Sequence, residues 1–493
     1  MRTPKTLSFG GARLQPRRHA ALDLFRAPLG AALAVALLLS PAFAQKAPKP
    51  ASKKPAAAPA PTPLPPAPLV AIKGGKVVTV SHGIIENGVV VMEGGKLTAV
   101  GAAGTAIPKG ARVIDATGMW VYPGLFDSET RLGLTEIQAV DMTNDTVEIS
   151  DEIMPHMHVY DAFHAETEHI PISRMNGITN AIVAPTSEDT LPGQDSLIQL
   201  WGPSGEEMLM VKDIAMPLNL TGEQRRRGGR RGGEARFPST RMGLAAQLRQ
   251  AFIDALDYKQ KWDDYNKGAS KPADAKSADS KDKDKKEEGK KSAPKRDLKL
   301  EALLPYLEGR RPVIVEVQEP TDLYTALGLA REFKLRVVLK GLTHAQITLD
   351  QIAAAKVPVI VGPIYEQPKE DERYDAVYSL PAQLHARGVK VAFASYDDYT
   401  TIQPRNLPYE AGYAVAFGLP WDEAMRAVTL SPAEIWGVAD QLGSLDPGKV
   451  ANVVVANGDP LDVKSDVKHV FIAGREVPLE SRQTRLRDEY MKR

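Results

Sequence analysis

The chain reads as an α/β protein, with a barrel-like middle and a smaller β domain assembled from both of its ends. Three observations predict this. The middle alternates apolar strand candidates with helical patterns. Short strands separated by glycine turns flank that middle on both sides. Between them, Trp120 to Leu134 runs apolar through Pro123-Gly124-Leu125-Phe126 to Asp127 and then delivers Glu129 and Arg131. Residues i and i+2 share one face of a strand, so Glu129 and Arg131 are expected to point the same way. At the end of the first strand of a barrel, that direction is the mouth, where such folds keep their chemistry.

A length of 493 residues suits a large barrel with an accessory domain, and 43% hydrophobic residues supply a core. The formal charge of +1 gives no overall attraction to nucleic acid or to an anionic membrane. The chain has no cysteine, so disulfides and thiolate metal sites are excluded. Any metal would have to be held by His, Asp or Glu.

Residues 1–44 read as an export signal. Arg13, Arg17, Arg18 and Arg26 precede an apolar segment from Leu29 to Leu39, and Ala42-Phe43-Ala44 offers a small-x-small cleavage site. The apolar run is short for a permanent span, so no stable membrane span is expected after cleavage. The destination is then the periplasm or the exterior. Residues 45–68, rich in Ala, Pro and Lys, read as a semi-extended tether.

From Leu69 the pattern becomes a meander: Val77–Val80, Gly88–Met92, a Gly94-Gly95 turn, Leu97–Val100, then Arg112–Asp115. Residues 69–118 form the first part of the β domain and 440–480 the second, with strands at Ala451–Val455 and Val467–Ala473. Residues 481–493 are a C-terminal tail. In the barrel, 119–439, buried strands are expected at Gly177–Ala184, Pro312–Glu316, Leu335–Leu339, Val357–Gly362 and Val389–Ala394. Helices are expected at Thr321–Phe333 and Leu349–Ala355, and a Ser-capped start at Ser431-Pro432-Ala433-Glu434. Repeated β-α units argue for a parallel sheet with helices outside. Two stretches interrupt it. Residues 225–236 are an Arg/Gly loop without interleaved aromatics for base stacking, which reads as a solvated loop. Residues 267–296 are Lys, Asp, Ala and Ser with little to bury, and are expected to be disordered.

Several segments together resemble the imidazolonepropionase-like branch of the amidohydrolase superfamily. They are Val121–Asp127, Pro192-Gly193-Gln194, Pro238–Gly243, Arg405–Ala411, Thr429–Gly437, Gly443–Lys449 and Gly458-Asp-Pro-Leu461, between about Leu69 and Pro478. The resemblance implies a (β/α)8 TIM-like barrel plus a composite β-sandwich formed from both ends of the chain. It implies hydrolysis of non-peptide carbon–nitrogen bonds of the cyclic amide type by water activated on one or two divalent metals, usually zinc. Its ligands are a His-x-His after the first strand, one His each on strands five and six, and an Asp on strand eight.

At those places this chain carries Glu129 and Arg131, then Glu316, Lys340 and Tyr396, with Asp397 one residue later. Lys449-Val450-Ala451-Asn452 stands where the family usually has acidic residues. Two carboxylates face two cations, so a self-neutral cluster can replace the metal centre. A unit charge pair at about 4 Å and an effective dielectric of ~20 is worth ~4 kcal/mol, and a cation facing a divalent metal is repelled by about twice that. Arg131 cannot lose its proton to become a ligand. No cofactor is therefore expected, with zinc or another divalent metal only if the site is rebuilt. His156-Met157-His158, with His164 and His169 nearby, read as surface histidines, and His344 lies four residues past Lys340. An acid–base pair of Glu316 with His344 or Asp397 is geometrically open. Two functional expectations stand together. One is a hydrolase with its usual metal ligands replaced, acting on an unknown small molecule. The other is a catalytically inactive pseudoenzyme of the periplasm that binds a ligand or an active partner, as a homodimer or beside a related active protein.

Overall fold

Two eight-stranded sheets organise the chain. The computed structural model describes residues 64–492, except 138, 149, 188, 222–236, 270–291, 343–344, 366, 369–371 and 396–402. Contacts separate Met1–Leu64 from Pro65–Arg493, and the second unit is the one described. The signal region 1–44, most of the 45–68 tether, the loop 225–236 and positions Tyr396, Asp397 and His344 lie outside the described residues. So does 270–291 of the expected insert. Its first residues close a 29-residue helix, Arg241–Ala269, so order runs further there than composition suggests.

The first sheet takes β1 (Val70–Val78), β2 (Ile84–Glu93), β3 (Lys96–Gly101), β4 (Arg112–Asp115) and β5 (Trp120–Pro123) from one side of the barrel sequence. The other side supplies β14 (Val453–Ala456), β15 (Val467–Ile472) and β16 (Arg475–Glu476). Their order is β16-β15-β14-β5-β1-β2-β3, with β4 on β1, so both ends of the chain share one hydrogen-bonded sheet. Gly94 and Gly95, at φ +59° and +85°, make the β2–β3 turn. Period-two alternation sorts the faces. Val453 and Val455 join Val70, Ile72, Val121 and Phe471 in the sheet's own core. Val454 and Ala456 instead join Tyr122 and Val470 in the large core that runs on into the barrel.

The second sheet is the barrel: β6 (Leu125–Thr130), β7 (Ile178–Val183), β8 (Asp195–Gln199), β9 (Leu209–Asn219), β10 (Pro312–Val317), β11 (Arg336–Gly341), β12 (Val359–Val361) and β13 (Val391–Phe393). They follow one another in chain order around the sheet. The expectation of a wholly parallel sheet needs correction. β8 runs antiparallel to both β7 and β9, because short connections replace crossover helices there. Phe126, Ile182, Leu197, Ala215, Ile314, Val338, Ile360 and Ala392, one from each strand, fill the interior. Trp436, Val438 and Leu442 belong to the same cluster. The helix before them spans Leu430–Ile435 with Thr429 at its cap, so Ser431 lies inside it rather than capping it. Helix Pro320–Phe333 begins with a capping box between Glu319 and Asp322. It packs Leu323, Ala326 and Leu329 into the core that holds Val313 and Val315. No helix among the described residues is long and apolar enough to cross a membrane.

Gly124 sits between the sheets. Its N–H donates to the Asn452 carbonyl at 2.9 Å. A Cβ there would lie 2.1 Å from Thr179 Oγ1 and 2.4 Å from Thr179 Cγ2. Gly124→Ala is therefore expected to cost about 1–3 kcal/mol by overpacking. Urea unfolding checks this, and an unchanged midpoint would show that the joint tolerates a side chain.

Candidate functional site at the barrel mouth

Strand periodicity carries four charged side chains above the apolar interior. On β10 and β11, Ile314 and Val338 fill the barrel, and two residues later Glu316 and Lys340 stand as direct register partners. On β8, Leu197 faces inward and Asp195 lies two residues before it. Because β8 is reversed, its first residue lies beside the C-terminal end of β7, where Val183 pairs with Ser196. On β6 the register shifts between Asp127 and Thr130, and Glu129 meets Lys340.

The geometry centres on one oxygen. Lys340 Nζ donates to Glu129 Oε1 at 2.6 Å, and Arg131 Nη1 donates to the same atom at 3.0 Å. All three side chains are buried, with exposures of 1%, 1% and 4% for Lys340, Glu129 and Arg131. Lys340 Nζ also lies 3.9 Å from Glu316 Oε2. The Gln318 side-chain amide donates to Glu316 Oε1 at 2.9 Å. Glu316 keeps 21% of its side chain exposed and is the member of the group that meets solvent.

Burial by itself would raise the Glu129 carboxyl, but Lys340 and Arg131 outweigh it and hold it below the ordinary range. Asp195 is fully buried, and both of its oxygens lack a hydrogen-bond partner among the described residues. Burial, with Glu129 nearby, raises its carboxyl well above the ordinary value. Beneath the cluster, Asp127 accepts from the Ser395 N–H at 3.0 Å, and the Ser395 hydroxyl donates to its other oxygen. Burial pushes Asp127 up to about 7, against those hydrogen bonds.

Sequence reasoning named Glu129, Arg131, Glu316 and Lys340, and the structure brings all four together. Tyr396 and Asp397 lie outside the described residues. Asp195 was missed because no strand is expected from the sequence at Asp195–Gln199, and in a parallel strand the first residue would lie at the barrel floor. The histidines do not converge. His158 Nδ1 lies 2.5 Å from Asp213, His164 Nε2 lies 3.2 Å from Asp145, and His169 Nε2 meets the Glu136 carbonyl. His156 has a buried Nδ1 without a partner among the described residues.

The donor set does not fit a divalent metal. Two of the places the family gives to ligands hold Arg131 and Lys340, and both grip the one carboxylate at the centre. No group of three His, Asp or Glu among the described residues is gathered to hold an ion. What the arrangement offers is a fixed ammonium between two carboxylates, a further buried carboxyl at Asp195, and one carboxylate partly open to water.

Two outcomes follow. Glu129→Leu is expected to destabilise by about 3–5 kcal/mol, because it leaves Lys340 and Arg131 buried without the carboxylate they share, and adding Lys340→Met, which removes one of the two stranded cations, should restore part of the loss. Denaturant melts of the three proteins check this; a double variant no better than the single would refute the pairing. Asp127 is raised in the folded state, so its contribution to stability is full below its unfolded value near 3.8 and is lost as pH rises toward about 7. Asp127→Asn should therefore flatten the pH dependence of the melting temperature between those values, and an unaltered slope would assign that dependence elsewhere.

The family model described as "Amidohydrolase family" matches residues 314–477. An amidohydrolase from Thermotoga maritima MSB8 superposes with a TM-score of 0.73 at 27% identity, over 83% of this chain and 99% of that one. Amidohydrolase tasK of Hapsidospora irregularis is 24% identical over 407 residues, 79% of this chain but 39% of that protein. N-substituted formamide deformylase of Arthrobacter pascens is 26% identical over 156 residues, 30% of this chain and 28% of that enzyme. The chain thus spans well under half the length of these two relatives. With the two-sheet architecture, these likenesses make the chain similar to the amidohydrolase superfamily in fold and in the sequence of residues 314–477.

Proposed function

We propose that the chain is a hydrolase of non-peptide carbon–nitrogen bonds of the cyclic amide type, working with a rebuilt centre in place of the usual metal ligands. The family supports the bond class. The observation that carries the rebuilt chemistry is Lys340, fixed 2.6 Å from Glu129 and 3.9 Å from Glu316. An ammonium held there polarises a substrate carbonyl and stabilises the oxyanion that forms when water adds. Glu316, the partly exposed carboxylate, takes the proton of that water and returns it to the leaving nitrogen. The substrate is an unknown small molecule, chosen by the loops around the mouth. Export to the periplasm or beyond is supported by the arrangement of residues 1–44.

A second reading rests on a different observation. Glu129, Arg131 and Lys340 meet at one oxygen in a buried knot, which suits a barrel whose centre has become structural. On that reading the chain is an inactive member that binds a ligand or pairs with an active relative. The greater length of tasK, of which this chain matches 39%, leaves room for such a companion within one polypeptide.

Purified protein, dialysed against a chelator, is to be assayed for ring opening on a panel of five- and six-membered lactams and on N-formyl amines, with zinc measured in the same samples. The hydrolase reading expects turnover that survives dialysis and falls about 10²–10⁴-fold in Glu316→Gln. No turnover on any member, with or without added zinc, selects the inactive reading. Stoichiometric retained zinc sinks the rebuilt centre.

A further inference from the structure

The opposite end of the barrel carries a site that the mouth chemistry does not use. A cavity of about 710 Å³ opens among the starts of β10, β11 and the segment before β12. Its lining includes the apolar Leu335, Val337, Val357 and Val389. Its rim is cationic: Arg336, Lys356, Arg387 and Lys390 line it, all exposed, with Glu434 as its only carboxylate. A second hollow of about 450 Å³ shares Gly388, Val389 and Lys390 with it and adds Arg426, His385 and Glu423. The joined trough thus has five Lys or Arg side chains against two carboxylates.

The carboxylates are already engaged. Glu434 sits between Lys390 at 2.6 Å and Arg426 at 3.2 Å, and Glu423 lies 3.7 Å from His385. Arg387 is held by Asp350 at 2.9 Å. Arg336 donates to the Arg310 carbonyl at 3.2 Å, an uncharged partner, and neither Arg336 nor Lys356 has a carboxylate at ion-pair distance among the described residues. Two cations therefore line the cavity beside these apolar side chains with no carboxylate at ion-pair distance among the described residues. Arg336 is the first residue of β11, and its exposed side chain lines the cavity.

We propose that this trough binds an amphipathic organic anion, with a carboxylate or phosphate head between Arg336 and Lys356 and an apolar body on Leu335, Val337 and Val389. Guanidinium and ammonium groups together suit such a head, since the first offers a planar fork and the second a point charge. A concave apolar floor with a few placed charges is the usual build of a small-molecule site. The proposal does not depend on whether the mouth is catalytic.

The test uses the full chain and the fluorescent anion 8-anilinonaphthalene-1-sulfonate as probe. One saturable site per chain is expected, weakened by added salt. Its dissociation constant should rise at least tenfold in the double variant Arg336→Ala, Lys356→Ala, whose circular dichroism should match that of the parent. Displacement of the probe by inorganic phosphate but not acetate assigns a phosphate head, and the reverse assigns a carboxylate. Unsaturable fluorescence, an unchanged constant in a folded double variant, or displacement by neither anion overturns the proposal.

Discussion

One carboxylate oxygen, Glu129 Oε1, holds the barrel mouth together. It receives Lys340 from β11 and Arg131 from the end of its own strand, so β6 and β11 are tied across the interior. Each pair is worth ~4 kcal/mol at close range and an effective dielectric of ~20, while removing each ion from water costs several kcal/mol. The knot therefore adds little net stability, yet no member can be lost alone. What it gives is definition: a buried charge that has a partner in one register and none in a slipped one. Asp195 fits the same logic from the other side. With two cations already matched by Glu129 and Glu316, a further ionised carboxylate would be in excess, and burial beside Glu129 raises the Asp195 carboxyl above its ordinary value.

A second carboxyl closes the circle. The ordered sheet runs from β6 to β13, and Asp127 joins those two ends by accepting from both the backbone and the hydroxyl of Ser395. The joint to the other sheet is likewise polar. Asn452 donates its amide to Asn180 at 2.8 Å and accepts from the Ala473 N–H at 2.8 Å, while its carbonyl receives Gly124. Where the family usually carries acidic residues near this point, the chain has a neutral amide that stitches barrel to sheet.

Much of this was legible in the sequence because it is local. The i, i+2 spacing of Glu129 and Arg131 announces that they share a face, and Val338-Leu339-Lys340 announces a cation above an apolar layer. The turn at Gly94-Gly95 and the apolar runs of β10, β11 and β13 follow from period and composition alone. The direction of β8 is not local. Its five residues, Asp-Ser-Leu-Ile-Gln, read the same whichever way the strand runs, and only the short connections on either side reverse it. Asp195 was hidden for that reason, and because no strand is expected from the sequence at Asp195–Gln199. Asp127 was visible as a residue but not as a clasp, because its partner lies 268 positions away.

A centre that used an ammonium in place of a metal would meet a chemical constraint. A divalent ion does two things at once: it polarises the carbonyl, and it lowers the pKa of the attacking water. Lys340 can do the first, with half the charge, in a site dry enough to strengthen it. It cannot do the second, because an ammonium carries no hydroxide. The water must then be activated by a separate base, and that base must reach solvent, as Glu129 and Asp195 do not. Glu316 alone of the three keeps part of its carboxylate open to water, beside the cation. Its exposure is therefore the feature on which a catalytic reading of this barrel turns, and the burial of its neighbours is what singles it out.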